Sequence, residues 1–263
     1  MTSETKDQKK KPEVEFKVCE PITNSWTLID MVTKRCPPGW EKFFGDPLVR
    51  RQLEHIEQQL AREDAEQGGY YPEKRHLLNA FYWIRLDQIE VVFVGQDPYP
   101  GYHQNGLVCR AQGVAFSVAP DDTTPKSMVN ILKEIEDNYP ECKRKGPGDL
   151  SRWSLLYGVF LINSCLHLRR HETKDNKTPN FWKGFITLLF RHMAQYRSGI
   201  VYAMWGSKAR EWESVVDSRS LKLVAGHPSP SNVSGGFLGC KHFLLINEYL
   251  RSKKKKEVNW TVY

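Results

Sequence analysis

The sequence predicts an α/β fold: a single domain with a central four-stranded, parallel, twisted sheet flanked by helices. Two patterns carry that expectation. Short apolar runs rich in β-branched or aromatic residues read as buried strands, and they occur at Ile89–Val94, Val159–Ile162, Ile200–Trp205 and Leu221–Ala225. Amphipathic helical patterns separate them, which favours parallel crossovers. A further observation concerns chemistry. The runs lead into Gly95-Gln96-Asp97-Pro98-Tyr99, Asn163, Gly206-Ser207 and Gly226-His227-Pro228-Ser229-Pro230. Ligands of open α/β sheets bind beyond the carboxyl ends of the strands. An Asp, an Asn, a Ser and a His are therefore expected to converge on one cleft, as in an enzyme.

Along the chain, residues 1–20 are lysine-rich and poor in apolar side chains, and read as a disordered tail. The first clear helix opens at Asp46-Pro47, an N-cap followed by proline. Val49, Leu53, Ile56 and Leu60 form its stripe, and Gly68-Gly69 ends it. A short helix is expected over Pro72–Phe81. Another covers Pro125–Tyr139, with Met128, Ile131, Leu132 and Ile135 inward. Asp149–Tyr157 is a short helix stopped by Gly158. Phe181–Tyr196 carries Phe185, Leu188, Leu189 and His192 at helical spacing. Ser207 is placed to cap the helix after its strand. His242–Ser252 closes the domain with Phe243, Ile246, Tyr249 and Leu250. No internal repeat or interdomain linker interrupts residues 21–263.

Composition narrows the classes. The chain has 263 residues, 40% hydrophobic and 26% charged, as in an ordinary globular domain. Its net charge of +7 suits a polyanionic partner, although part of the excess sits in Lys6, Lys9, Lys10, Lys11 and the run Lys253–Lys256. No apolar window reaches transmembrane length, and the first residues lack a signal core. The cysteines (Cys19, Cys36, Cys109, Cys142, Cys165, Cys240) contain no CxxC pair. That argues against a zinc or iron–sulfur site and for reduced thiols in a nuclear or cytoplasmic protein. No metal, cofactor or membrane is expected.

Several motifs then occur together. GQDPY (95–99), GVAFSV (113–118), GVFLIN (158–163), WGS (205–207) and GHPSP (226–230) run in the order seen in uracil-DNA glycosylases of the uracil-N-glycosylase family. YYPEKRHLLNAF upstream, GFLGCKHF downstream and Asn259-Trp260 add to it. The chain resembles that family over roughly residues 38–260. The resemblance implies that 21–263 is a catalytic domain, a monomer without cofactor. Such a domain flips uracil from single- or double-stranded DNA and hydrolyses its N-glycosidic bond, the first step of base excision repair.

By that resemblance, Asp97 orients water and stabilises an oxocarbenium-like sugar, and His227, neutral, stabilises charge on uracil O2. Asn163 reads the base edge, Phe116 stacks on the base, Tyr99 excludes the thymine methyl and the backbone around Gln96 contacts uracil. Ser127, Ser207 and Ser229 grip phosphates, and Ser231 belongs to the DNA-binding surface. Taken singly, each serine is a turn or cap residue, and each aromatic a core residue. The family also implies partners: uracil-containing DNA, replication proteins and proteinaceous glycosylase inhibitors.

The chain departs from the family pattern in four places. Pro100 replaces the histidine after GQDPY, and extra residues lie between Gly101 and Phe116. Lys174-Asp175-Asn176-Lys177 stands where a serine–histidine pair is usual. Ser231-Asn232-Val233 stands where an apolar wedge is usual, with only Val233 as a partial substitute. Two other readings therefore stay open at this stage. One is a DNA-binding or replication-scaffold protein that keeps the fold with weak activity. The other is a related glycosylase with broader base choice.

Overall fold

The computed structural model describes residues 20–262 except 104–105, 120–121, 143–145 and 233–234. The lysine-rich tail expected over residues 1–20 lies, apart from Glu20, outside the described residues, as does Val233.

The chain builds α1 (Leu28–Lys34), α2 (Glu41–Gly45), α3 (Pro47–Gln67), β1 (Tyr70–Tyr71), α4 (Asn79–Trp83) and β2 (Val91–Gly95). It continues with α5 (Lys126–Asn138), α6 (Ser151–Tyr157), β3 (Val159–Asn163), β4 (Leu168–Arg169) and α7 (Lys183–Tyr196). It ends with β5 (Val201–Trp205), α8 (Ser207–Arg210), β6 (Leu221–Ala225) and α9 (His242–Ser252). The expected sheet is present: four parallel strands in the order β3-β2-β5-β6, with helices on both faces. Strands β2, β3 and β5 are buried along their length, which is why they read as unbroken apolar runs rather than alternations. The chain order reverses beside β2, between β3 on one side and β5 on the other. That is the switch point at which α/β sheets open a crevice.

Two aromatic layers fill the core. On one face Phe160 packs with Trp40 and Phe81, whose rings lie 5.5 and 5.6 Å away. On the other, Phe93 meets Trp205 at 4.8 Å, and Trp260 meets Trp153 and Phe243, each at 4.9 Å. The penultimate stretch of the chain thus closes the core. A two-residue antiparallel pair, β1 with β4, lies outside the main sheet. A bidentate ion pair supports it, with Arg169 donating to both carboxylate oxygens of buried Glu63 at 2.6 and 2.8 Å.

Several elements differ from expectation. The first helix is α1, not the one at Asp46. Thr27 caps it in a full capping box, with Thr27 Oγ1 accepting from Asp30 N and Asp30 accepting from Thr27 N. The expected helix over Pro72–Phe81 is broken into a single 3-10 turn, Lys74–His76, and α4. Consecutive Leu77 and Leu78 are both buried there, which one stripe of a continuous surface helix does not achieve. Ser207 does not cap α8. Gly206 holds the cap position at φ +90°, and Ser207 falls one residue inside the helix with no side-chain cap bond.

Two buried histidines brace the fold. Trp205 Nε1 donates to His242 Nδ1 at 2.9 Å, and Trp182 Nε1 donates to His167 Nδ1 at 3.1 Å. Burial holds His242 down to about 4 and His167 down to about 3. Below the ordinary histidine range the unfolded chain therefore binds protons that the native state refuses, so stability falls as pH falls. At pH 5 each histidine costs about 2 kcal/mol of stability. His242→Gln, which still offers Trp205 an acceptor, is expected to reduce the drop in Tm between pH 7 and pH 5. Parallel Tm–pH curves for variant and parent count against this account.

Candidate active site

Strand register assembles the site. Gly95 ends β2 opposite Asn163, which ends β3. A Cβ at position 95 would lie 2.1 Å from Asn163 Oδ1, so only glycine lets the amide pack there. The loops after these strands are then joined to each other. Ser164 N donates to Gly95 O at 2.9 Å, and Gln96 O accepts from Cys165 N at 2.9 Å and Ser164 Oγ at 3.1 Å. This holds Asp97 half-buried beyond the strand end. Burial pushes its carboxyl above the usual range. The Gln96 side chain opposes that shift by donating to Oδ2 at 2.9 Å, and the charge of Glu172 reinforces it.

Tyr99 and Phe116 face this carboxylate. The Tyr99 and Ser127 hydroxyls bond at 2.8 Å, and burial raises the phenol to about 12, so it stays neutral. Phe116 sits at φ +63°, uncommon for a bulky residue, with its ring 5.3 Å from that of Trp205. The segment just before it is fixed by the upstream motif. Asn79 Nδ2 donates to Gln112 O at 2.8 Å, and Gly113 lies so close to His76 O that a Cβ would stand 1.7 Å from it.

His227 follows β6. Ser229 N donates to its Nδ1 at 3.0 Å, so Nδ1 is an acceptor and the proton of the neutral ring is on Nε2. Burial lowers its pKa further below the histidine range. Its loop is held at several points. Asn130 Nδ2 donates to Pro228 O at 2.7 Å, and Asn232 Nδ2 donates to His227 O and Gly235 O, both at 3.0 Å. Gly206 comes close enough that its Cβ would be 3.0 Å from His227 Cβ.

Asp97, Tyr99, Phe116, Ser127, Asn163 and His227 line one cavity of about 220 Å³, with Gln96, Pro98, Pro100, Leu168 and Glu172 completing it. That volume fits a single planar base. Asn163 offers an amide donor and acceptor, His227 an N–H donor, Phe116 an apolar ring and Asp97 an acceptor. Of the serines singled out from the sequence, Ser127 is buried in this cavity and shares its hydroxyl with Tyr99. Ser207 is exposed and lines a separate cleft with Arg210 and His227. The hydroxyls of Ser229 and Ser231 bond each other at 2.7 Å beside the pocket. Among the described residues, no three His, Cys, Asp or Glu side chains cluster as metal ligands.

Sequence reasoning missed three contributors. Asn130 and Glu134 belong to a polar stripe on α5, after Ser127. Glu134 accepts from Gly239 N at 2.5 Å and Lys241 N at 2.8 Å and so ties down the segment before α9. Polar residues at helical spacing on an otherwise apolar face were the available signal. Glu172 lines the cavity without any motif to mark it.

Comparison with known proteins agrees with this architecture. The model of the uracil DNA glycosylase superfamily matches residues 82–251. A uracil-DNA glycosylase of Francisella tularensis subsp. tularensis is 35% identical over 224 residues, covering 85% of this chain and 98% of that protein. The crystal structure of mimivirus uracil-DNA glycosylase superposes with a TM-score of 0.74 at 27% identity, covering 85% of this chain and 86% of that one. A variant of the mimivirus enzyme in complex with UGI gives a TM-score of 0.73 over 85% of this chain and 88% of that one, again at 27% identity. Fold, strand-end motifs and sequence relatives converge, and the chain belongs to the uracil-DNA glycosylase superfamily.

Proposed function

We propose that this protein is a DNA-repair hydrolase that extrudes uracil from DNA and cleaves its N-glycosidic bond, leaving an abasic site and free uracil. The observation that carries the reading is the single base-sized cavity in which Asp97, Asn163, His227, Phe116 and Tyr99 meet. Uracil enters stacked on Phe116. The Asn163 amide donates to O4 and accepts from N3–H, a pattern that cytosine reverses. The Tyr99 ring stands against a C5 methyl. His227 Nε2–H donates to O2 as negative charge grows there, with no proton transferred. Asp97 orients water and stabilises the cationic sugar. Uracil leaves as an anion, so the acid partner of a two-carboxylate glycosidase is not needed.

Ser207, Ser229 and Ser231, with nearby backbone amides, hold phosphates on either side of the lesion. The reading includes a monomer acting on single- or double-stranded DNA. The UGI complex of the mimivirus relative adds a protein inhibitor that occupies the DNA-facing surface as a class of partner. Replication proteins and a nuclear or cytoplasmic location remain part of the proposal, consistent with a DNA substrate. A scaffold with weak activity does not account for a pocket furnished with every reacting group.

Release of uracil from a uracil-containing single-stranded oligonucleotide, read as alkali-labile abasic sites, tests the reading directly. Asp97→Asn is expected to lower turnover by about 10²- to 10⁴-fold while uracil-DNA binding persists; near-parental turnover excludes Asp97 as the reacting carboxylate. Tyr99→Ala is expected to admit thymine, measured as thymine released from a normal oligonucleotide. An unchanged base preference removes Tyr99 from the pocket wall. Ser231 is exposed, its hydroxyl engaged by Ser229, and it offers little apolar surface to fill the gap left by a flipped base. A marked preference for single-stranded substrate is therefore expected. Ser231→Leu should raise kcat/KM on duplex and leave the single-stranded value nearly unchanged. Equal gains on both substrates would mean that the loop acts through general DNA affinity.

A further inference from the structure

Two cavities meet at Asp97. One is the base pocket. The other, of about 560 Å³, contains none of Tyr99, Phe116, Asn163 or His227 and is lined instead by Ser164, Lys177, Thr178, Lys183, Lys208 and Glu211 among others. The side chains that border both are Gln96, Asp97 and Glu172. Displacement at C1′ with an oxocarbenium-like transition state requires water to approach from the side of the sugar away from the leaving base. If uracil occupies the first cavity, the second is the space adjoining Asp97 from which water can approach, and two carboxylates, Asp97 and Glu172, border both.

Glu172 is held firmly. Thr178 donates to its Oε2 from both N, at 2.9 Å, and Oγ1, at 2.5 Å, and Lys177 Nζ lies 3.6 Å from Oε1. Thr178 is fixed in turn by Arg169 N, which donates to its Oγ1 at 3.0 Å. Arg169 also donates to Lys177 O at 3.1 Å and to Asn176 Oδ1, and is itself anchored on Glu63. One of the segments where the sequence departs from its family, around Lys174–Lys177, is thus a braced loop that presents a carboxylate to the site.

We infer that Glu172 is the second carboxylate of the reaction, which with Asp97 orients the attacking water and adds negative potential where the sugar becomes cationic. The inference rests on the proposed function. The water oxygen bonds to C1′, and the C1′–N1 electron pair departs with uracil as its anion. One water proton passes to Asp97, and the other O–H points to Glu172. The anion later takes a proton from solvent, and Asp97 returns its own.

The protonation states fit these roles. Burial works against ionised Glu172, but the Thr178 and Lys177 contacts outweigh it and hold the carboxyl below the usual range. Asp97 lies above its usual range through burial, and Glu172 adds to that rise. Lys177 on the same loop opposes it. The other charged or titratable groups around Asp97 are His227 and Tyr99 in the base pocket, with Cys165, Lys183, Lys208 and Glu211 in the second cavity.

The test compares the full chain with Glu172→Gln on uracil-containing single-stranded DNA, reading kcat and KM against pH. Binding to an oligonucleotide with a non-cleavable uracil nucleotide is measured alongside. The expected result is a fall in kcat of about 10- to 100-fold, with KM and binding changed less than about threefold. The acid limb of the kcat profile should also move to lower pH, because Asp97 loses a negative neighbour. Thr178→Val, which removes the hydroxyl bond to the carboxylate and keeps the one from the backbone N, should show a smaller fall in the same direction, and Glu172→Asp should recover part of the loss. A folded Glu172→Gln with parental kcat and an unmoved acid limb overturns the inference. So does a loss confined to KM and binding, which makes Glu172 a DNA contact only. If the parent protein releases no uracil, the proposed function itself fails; if it does and Glu172→Gln matches it, this inference alone fails.

Discussion

In a parallel sheet, strands buried along their length, as β2, β3 and β5 are, have almost no freedom to carry polar side chains except where they end. Asn163 ends such a strand and Asp97 follows one. The register that pairs Gly95 with Asn163 and Trp205 with Ala225 aligns the carboxyl ends of β2, β3, β5 and β6. The residues that follow must emerge together. A slip of one residue in β3 would turn Asn163 to the other face of the sheet and leave a buried amide without its place beside Gly95. Hydrophobic burial of β2, β3 and β5 and the geometry of the site are thus fixed by the same hydrogen-bond ladder.

Rigid links between loops complete what the register begins. Helix α5 touches several of them at once through Ser127, Asn130 and Glu134, which reach Tyr99, Pro228 and the backbone of Gly239 and Lys241. On the opposite wall, Arg169 spans Glu63 and the loop carrying Glu172 and Thr178. Groups held in this way need not reorganise as charge develops, which is where polar active sites gain most over water. The same burial sets their protonation. It keeps His227 neutral and Tyr99 protonated, and it leaves Asp97 with a carboxyl more basic than an exposed one.

The sheet was legible because its strands are short, almost wholly apolar apart from Lys222 in β6, and bounded by glycine or polar residues. Helix α3 was legible because Asp46-Pro47 and Gly68 mark both ends. Helices α1 and α2 were not, since five to seven residues carry too little periodicity, although Thr27 and Asp30 did spell a capping box. Two-residue strands such as β1 and β4 have no pattern to detect and exist through the Glu63–Arg169 pair, whose partners lie far apart in sequence. Ser207 was misplaced by one position because the cap is dictated by contact with His227, a tertiary fact. In the site, motif residues were readable from the chain. Glu172 was not, because what marks it is a position between two cavities rather than any neighbour in sequence.

The contact between Gly95 and Asn163 has a consequence for how such a pocket can change over evolutionary time. The Asn163 amide, proposed to read the base, is seated in a mould formed by a missing side chain, and the far side of that mould is Ala115, whose Cβ would stand 3.0 Å from any Cβ at position 95. Reader and mould are separate positions in separate strands, so a single mutation alters one and leaves it mismatched to the other. Paths to a new base preference through this wall require paired changes, with an impaired intermediate between them. Drift in specificity should therefore run through the more loosely enclosed walls of the pocket, and the Gly95–Asn163 pair should behave as one heritable unit.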